Sequence, residues 1–285
     1  LDTSVINRLA EGSNDANLLI AGLKSGYLIR IPATSVDELI ATKAPNKRET
    51  LLNTCREFLK GQTCQILQPP HWILERMIQG FDSQKSFDWR VVSIRAHDYE
   101  REVVVREIID NQLSEEQREY QSGMEGQFAT VFRDARPHFE ELFREFPNSR
   151  SSSVSDLVTS LQVSGGAFWE LGKQLCEKIT RKSSSQSNIE AFVRACPPFH
   201  TVMLSFVVAQ YHRCISPDEG KNEAGRNDLM MSAYLPYCQE FISDDWNQQR
   251  SLKEVVSIAN LSVNVRWYKD LRDSLLANPL PSRCI

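Results

Sequence analysis

The apolar residues of this chain recur at two spacings, one helical and one extended. Residues 5–23 carry Leu9, Leu18, Leu19 and Leu23 at helical intervals, with Gly12-Ser13-Asn14-Asp15 as a break. Residues 27–32, a β-type run after Gly26 that ends at Pro32, predict a strand. Thr34 or Ser35 then caps a helix containing Leu39 and Ile40, and residues 49–59 are helical again. Residues 64–67 predict a short extended piece stopped by Pro69-Pro70. Near the carboxyl end, residues 199–214 predict a buried helix and 228–235 a second. They are followed by a strand at 240–243, a helix at 246–258, a strand at 263–267 and a last helix at 268–276.

The middle of the chain reads differently. Residues 101–109, 128–146 and 158–179 all carry helical spacing, with charged faces opposite apolar stripes. Serine-rich breaks at 148–155 and 181–188 predict exposed loops. Strand and helix thus alternate at both ends, and the middle is helical. The expectation is an α/β protein: residues 1–70 and 190–285 form a core with a central parallel sheet flanked by helices, and 71–189 form an all-α insertion that walls or covers it. In such sheets, sites lie beyond the carboxyl ends of the strands.

Bulk composition narrows the class. With 285 residues, 41% hydrophobic and 25% charged, the chain predicts a soluble globular protein. A formal net charge of −4 offers no global basic field, so any nucleic-acid binding rests on a local patch. Seven cysteines, widely spaced and with no C-x-x-C, predict reduced thiols and a cytoplasmic location. No apolar run is long enough to span a membrane, and no signal peptide precedes Leu1. A single apolar residue ahead of Asp2 predicts a first strand that begins before Leu1.

Four acids then stand out by position. Asp2 follows that first strand, Glu38 lies in an early helix turn, Asp228 opens a later helix, and Asp245 follows the strand at 240–243. Acids that converge do not all stay ionised without a cation among them, and a hard divalent ion is the natural occupant. The hydroxyls of Thr3 and Ser243, and the neighbouring Asp244, are suited to orienting the carboxylates. Phosphate contacts need positive charge, for which Arg226 beside Asp228 is the leading candidate, with Lys43, Lys47 and Arg48 after the Glu38 helix and Arg181-Lys182 in a loop. Trp72, Trp89, Tyr99 and Trp169 are candidates for base stacking or for core packing.

The segments Leu1-Asp2-Thr3-Ser4, Asp37-Glu38, Asn227-Asp228-Leu229 and Phe241-Ile242-Ser243-Asp244-Asp245 together resemble a PIN-domain nuclease. The resemblance covers roughly 1–70 and 190–285, with Ser243 where the family usually has Thr. It implies a PIN-like fold and an endoribonuclease that binds Mg²⁺ or Mn²⁺ through Asp2, Glu38, Asp228 and Asp245 and hydrolyses a phosphodiester with an activated water. RNA is expected over DNA. Other expected partners are a second copy of the chain and an inhibitory protein, with no membrane. The large middle segment departs from the family's usual length.

Plainer roles compete at each position. Asp228 and Asp244 suit helix capping, and Glu38 suits a helix first turn. The histidines His71, His97, His138, His200 and His212 are scattered and read as packing or surface residues. The alternative function is a non-catalytic PIN-like scaffold that binds a protein or RNA partner through its helical segment.

Overall fold

A computed structural model describes residues 1–12, 15–60, 64–83, 87–95, 132–144, 153–164, 166–180, 188–215 and 225–277, with isolated positions between 119 and 130. The chain opens with helix α1 (Thr3–Ala10), whose Val5, Ile6 and Leu9 share one buried face. Gly12, at φ 71°, turns the chain after it. Then come α2 (Ala16–Gly26), β1 (Ile29–Pro32), α3 (Ala33–Ile40) and α4 (Pro45–Leu59), which starts on a proline suited to the first helical position. β2 (Cys64–Leu67) and α5 (Pro70–Ser83) follow.

Further on are α6 (Arg136–Arg144), α7 (Val154–Ser164), α8 (Gly166–Thr180), α9 (Ile189–Ala195) and the long α10 (Pro197–Ile215). The helical spacing over 158–179 is divided between two helices, one ending at Ser164 and the next starting at Gly166. α11 (Arg226–Met230) tightens into a 3-10 segment, Met231–Tyr237, that contains Pro236. The chain closes with β3 (Glu240–Ser243), α12 (Trp246–Ile258), β4 (Asn264–Trp267) and α13 (Tyr268–Ala277). α12 ends on Asn260 at φ 52°. Its N–H donates to the Ser257 carbonyl and that of Leu261 to Val256, a two-bond cap that asparagine tolerates.

The expected α/β fold, with a central parallel sheet flanked by helices, is not what forms. Among the described residues the chain is mostly helical, with two separate two-stranded parallel sheets, β1–β2 and β3–β4. The four strands lie where the sequence pattern puts them, but each has only four residues. No strand among the described residues joins the pairs. Leu1 and Asp2 lie between them and make one main-chain bond to each side: Leu1 N to Arg30 O at 2.8 Å and Asp2 N to Ile242 O at 3.2 Å.

The middle segment, 71–189, packs closely against the rest of the chain where it is described. Its described helices share one core with the carboxyl-terminal elements: Ile73, Met77, Phe143, Leu161 and Phe168 pack in the same cluster as Phe199, Val207, Leu235 and Val265. A second cluster unites α1 to α4 with Ile242, Leu271 and Leu275. The predicted helix at 101–109, along with His97, Tyr99, Arg181-Lys182 and Cys284, lies outside the described residues. No single helix among the described residues is long and apolar enough to cross a membrane. Burial pushes Cys55 and Cys196 up to about 12, which keeps them as thiols.

Gln68, fully buried at the end of β2, is satisfied on several sides. Its main-chain N–H donates to Ile94 O, its side chain donates to Arg95 O and accepts from Arg76, and its carbonyl accepts the Tyr234 hydroxyl at 2.6 Å. Tyr234→Phe removes that last donor from a buried carbonyl. The expected loss is about 1–2 kcal/mol, seen as a lower urea midpoint with an unchanged slope. An unchanged midpoint contradicts this role.

Candidate functional site

Asp2 is only 5% exposed and caps α1. Its Oδ2 accepts from Ser4 N at 3.3 Å, Ser4 Oγ at 2.6 Å and Ser243 Oγ at 3.2 Å. Ser243, at the end of β3, also faces Gln248 Oε1 at 2.7 Å and accepts from Asp245 N at 3.0 Å. A hydroxyl has one proton, so Ser243 serves either Asp2 or Gln248 at any moment. Gln248 carries the connection on, because its Nε2 donates to Asp228 Oδ1 at 3.0 Å. Asp228 sits in the first turn of α11, where its Oδ2 accepts from Gly225 N at 2.9 Å. Asp245 is exposed and caps α12, its Oδ1 accepting from Gln248 N at 2.9 Å.

Glu38 approaches from α3. Thr3 Oγ1 donates a short hydrogen bond to Glu38 Oε2, and the Asn227 side chain bonds to the same carboxyl. Burial raises Glu38 to about 7 against those bonds, and the nearby charges of Asp228 and Asp2 push in the same direction. Glu38 therefore feels the charge of two acids far from it in sequence. Asp245 is tied to them through Gln248.

Among the described residues, no three acid, histidine or cysteine side chains are grouped so as to hold a metal ion. Hydroxyl and amide groups, rather than shared closeness, link the four acids. In kind the donors fit a hard divalent cation: they are carboxylate oxygens, and one of them, Glu38, is raised to about 7 by burial and by the charges of Asp228 and Asp2. Thr3 and Ser243 do orient carboxylates, Thr3 on Glu38 and Ser243 on Asp2.

Other expected site residues lie as follows. The Asp244 carboxylate takes Arg8 Nε at 2.5 Å and Trp267 Nε1 at 3.0 Å, so it is engaged outside the chain of bonds from Asp2 to Asp228. Arg48 is buried and donates to Thr42 O at 2.9 Å, which braces the turn between α3 and α4. Lys43 and Lys47 are exposed on that turn and the first turn of α4, and Arg226 is half-buried at the start of α11. Trp89 packs edge-on against Tyr237 at 4.9 Å and Trp169 against Phe168 at 5.0 Å, while Trp72 is partly exposed. Burial holds His200 down near 4, and His212 Nε2 lies 2.6 Å from Glu254 Oε2. Neither is a partner of the four acids in the bonds traced here.

Sequence reasoning missed three contributors. Gln248 joins Ser243 to Asp228, and its signal was its place three residues after the capping Asp245. Asn227 serves Glu38 from inside a motif noticed only for its aspartate. Trp246, 58% exposed and beside Asp245, packs against Trp267 at 5.2 Å. Compared with protein-family models, curated proteins and solved structures, the chain matches none.

The raised Glu38 carboxyl has a measurable consequence. The folded protein holds this proton more tightly than the unfolded chain, so ionising Glu38 lowers stability as pH rises from the ordinary carboxyl range to about 7. Glu38→Gln removes that loss. In chelator-treated buffer the stability of the variant relative to the parent is expected to grow between about pH 5 and pH 8, by up to about 3 kcal/mol. Urea unfolding across that range reads it. A difference that stays flat with pH contradicts the burial and repulsion assigned to Glu38.

Proposed function

We propose that this protein is a metal-dependent nuclease that hydrolyses phosphodiester bonds, with RNA the expected substrate and Mg²⁺ or Mn²⁺ the expected cofactor. The observation that carries the reading is Glu38: a buried carboxyl, held by Thr3 and Asn227 and raised to about 7 beside the charges of Asp228 and Asp2. A carboxyl of that kind can take or give a proton near neutral pH. It also marks a place where added positive charge is favourable. Asp2, Glu38, Asp228 and Asp245 are the residues that would hold a divalent ion, which supplies charge neutralisation at phosphate and a more acidic bound water. Ser243 and Gln248 keep the Asp2 and Asp228 carboxylates oriented. Arg226, Lys43 and Lys47 offer phosphate contacts, and Trp246 offers an exposed aromatic face for a base.

The scaffold reading has its own support. The Asp228 and Asp245 carboxylates both bond to main-chain N–H groups at helix starts, a purely structural task. Asp228→Asn separates the two readings. The amide oxygen keeps the cap on Gly225 N while its NH2 loses the bond from Gln248 Nε2, and the relief of charge repulsion offsets that loss, so Tm is expected to stay within a few degrees of the parent. Cleavage of labelled RNA with Mn²⁺ is expected to fall by about a hundredfold or more, as when a charged catalytic group is lost. If the Asn variant cleaves like the parent, or if the parent cleaves neither RNA nor DNA with either metal, the nuclease reading fails.

A further inference from the structure

A cavity of about 480 Å³ opens where α10, α12 and the start of α7 meet, and none of the four acids lines it. α12 contributes Arg250, Glu254 and Ser257, whose spacing puts them on one face of the helix. Gln248, two residues before Arg250, lies off that face, and its side chain is bonded to Ser243 and Asp228. Ser153 and Ser155, at the start of α7, are exposed at the mouth together with Ser257. His212 of α10 is the buried member, at 8% exposure.

His212 has one nitrogen in use and one left over. Its Nε2 lies 2.6 Å from Glu254 Oε2. A carboxylate only accepts, so Nε2 carries the proton of that bond. Nδ1 is buried and has no hydrogen-bond partner among the described residues. A polar atom left so costs stability, and a ligand that bonds to it recovers the cost. The rest of the lining favours an anion. A guanidinium such as that of Arg250 suits carboxylate or phosphate oxygens, and serine hydroxyls donate to either. The Glu254 charge that opposes an anion is engaged by His212 Nε2.

Nδ1 decides which anion. A neutral ring needs a donor there, and a protonated ring needs an acceptor. A phosphate monoester meets both needs, because its second ionisation falls near neutral pH and it can lend Nδ1 a proton or take one from it. A carboxylate, a sulfate or a phosphodiester, each fully ionised at neutral pH, only accepts. The cavity is also within the size range of small-molecule sites, which leaves room for the group that carries the phosphate. We propose that this cavity binds a terminal phosphate monoester, with Arg250 on its free oxygens and one proton shared between the phosphate and His212 Nδ1. The proposal stands on this cavity alone and is independent of cleavage by the acids.

The test follows the histidine ring signals of the isotope-labelled 285-residue chain by NMR as inorganic phosphate is added, at constant ionic strength and without metal. The His212 Nδ1 signal is expected to shift and to saturate at millimolar phosphate. In His212→Gln the amide nitrogen stands where Nε2 was and keeps the Glu254 bond, while Nδ1 is lost. Calorimetry is expected to show that this variant binds phosphate about tenfold more weakly or worse, as when a hydrogen bond to a charged group is removed. Sulfate and dimethyl phosphate are expected to fall behind phosphate on the parent chain by about the same factor. Ribose 5-phosphate and a 5′-phosphorylated oligoribonucleotide, each beside its dephosphorylated form, separate a small-molecule source from a strand end. At least one of the two is expected to bind as tightly as phosphate itself. The proposal is overturned by a His212 signal that does not saturate, or by His212→Gln binding phosphate like the parent. It is equally overturned by sulfate or dimethyl phosphate matching phosphate, or by neither phosphorylated compound binding. The parent chain's own signal keeps the test decisive if the variant is unfolded.

Discussion

A carboxylate held at 5% exposure has to find donors where it sits, and Asp2 finds them in Ser4 and Ser243. An ionised carboxyl in such a place is tolerable only when hydrogen-bonded, because desolvation without compensation costs more than a folded chain can spare. Much of the surrounding structure follows from that need. Ser4 turns its hydroxyl to Asp2 and accepts the Asp244 N–H, which binds the start of α1 to the turn after β3. Ser243 passes the connection to Gln248, and Gln248 passes it to Asp228. Residues more than two hundred positions apart are thereby held in one polar chain. Its members share elements with both hydrophobic clusters: Asp2 caps the helix of Val5 and Ile6, and Gln248 lies on that of Leu252 and Val255.

The gathering of acids works against folding, and Glu38 shows where the opposition is strongest. Its neighbours supply hydrogen bonds from Thr3 and Asn227, yet burial and like charge still leave it holding a proton near neutral pH. Structural ion networks also shift carboxyls, but they do so with cations as partners. Here the partners are a hydroxyl, an amide and two further acids. Sites that concentrate one sign of charge commonly trade stability for function. Asp228 and Asp245 give up less, since each also ends a helix with a hydrogen bond that any stable fold would use.

Much of the local structure was legible in the sequence. The short β-type runs at Ile29–Pro32, Cys64–Leu67, Glu240–Ser243 and Asn264–Trp267 became strands, because β-branched and aromatic residues bounded by breakers leave few alternatives. Pairing was not legible. β1–β2 and β3–β4 pair separately, and Leu1 and Asp2 make one main-chain bond to each pair. Spacing shows an apolar face but not which cluster buries it, so the sequence does not say that Phe143 and Phe168 share a core with Leu235 and Val265. Within the site, acids draw attention by their charge and neutral linkers do not. Gln248 and Asn227 carry the connections, while Arg48, chosen for its charge, turned out to brace a turn from a buried position.

The proposed site requires positive charge among Asp2, Glu38, Asp228 and Asp245. The most direct measurement is the melting temperature of the unmodified chain at about pH 7.5, first with chelator and then with Mn²⁺ raised to about a hundred times its dissociation constant. Binding to the folded state alone stabilises it by roughly 2.7 kcal/mol at that excess, so Tm is predicted to rise by about 5 °C or more and to fall back when chelator is restored. A melting temperature that ignores Mn²⁺ and Mg²⁺ throughout a titration into the millimolar range would contradict the claim and leave the acids as helix caps bound in a structural hydrogen-bond chain.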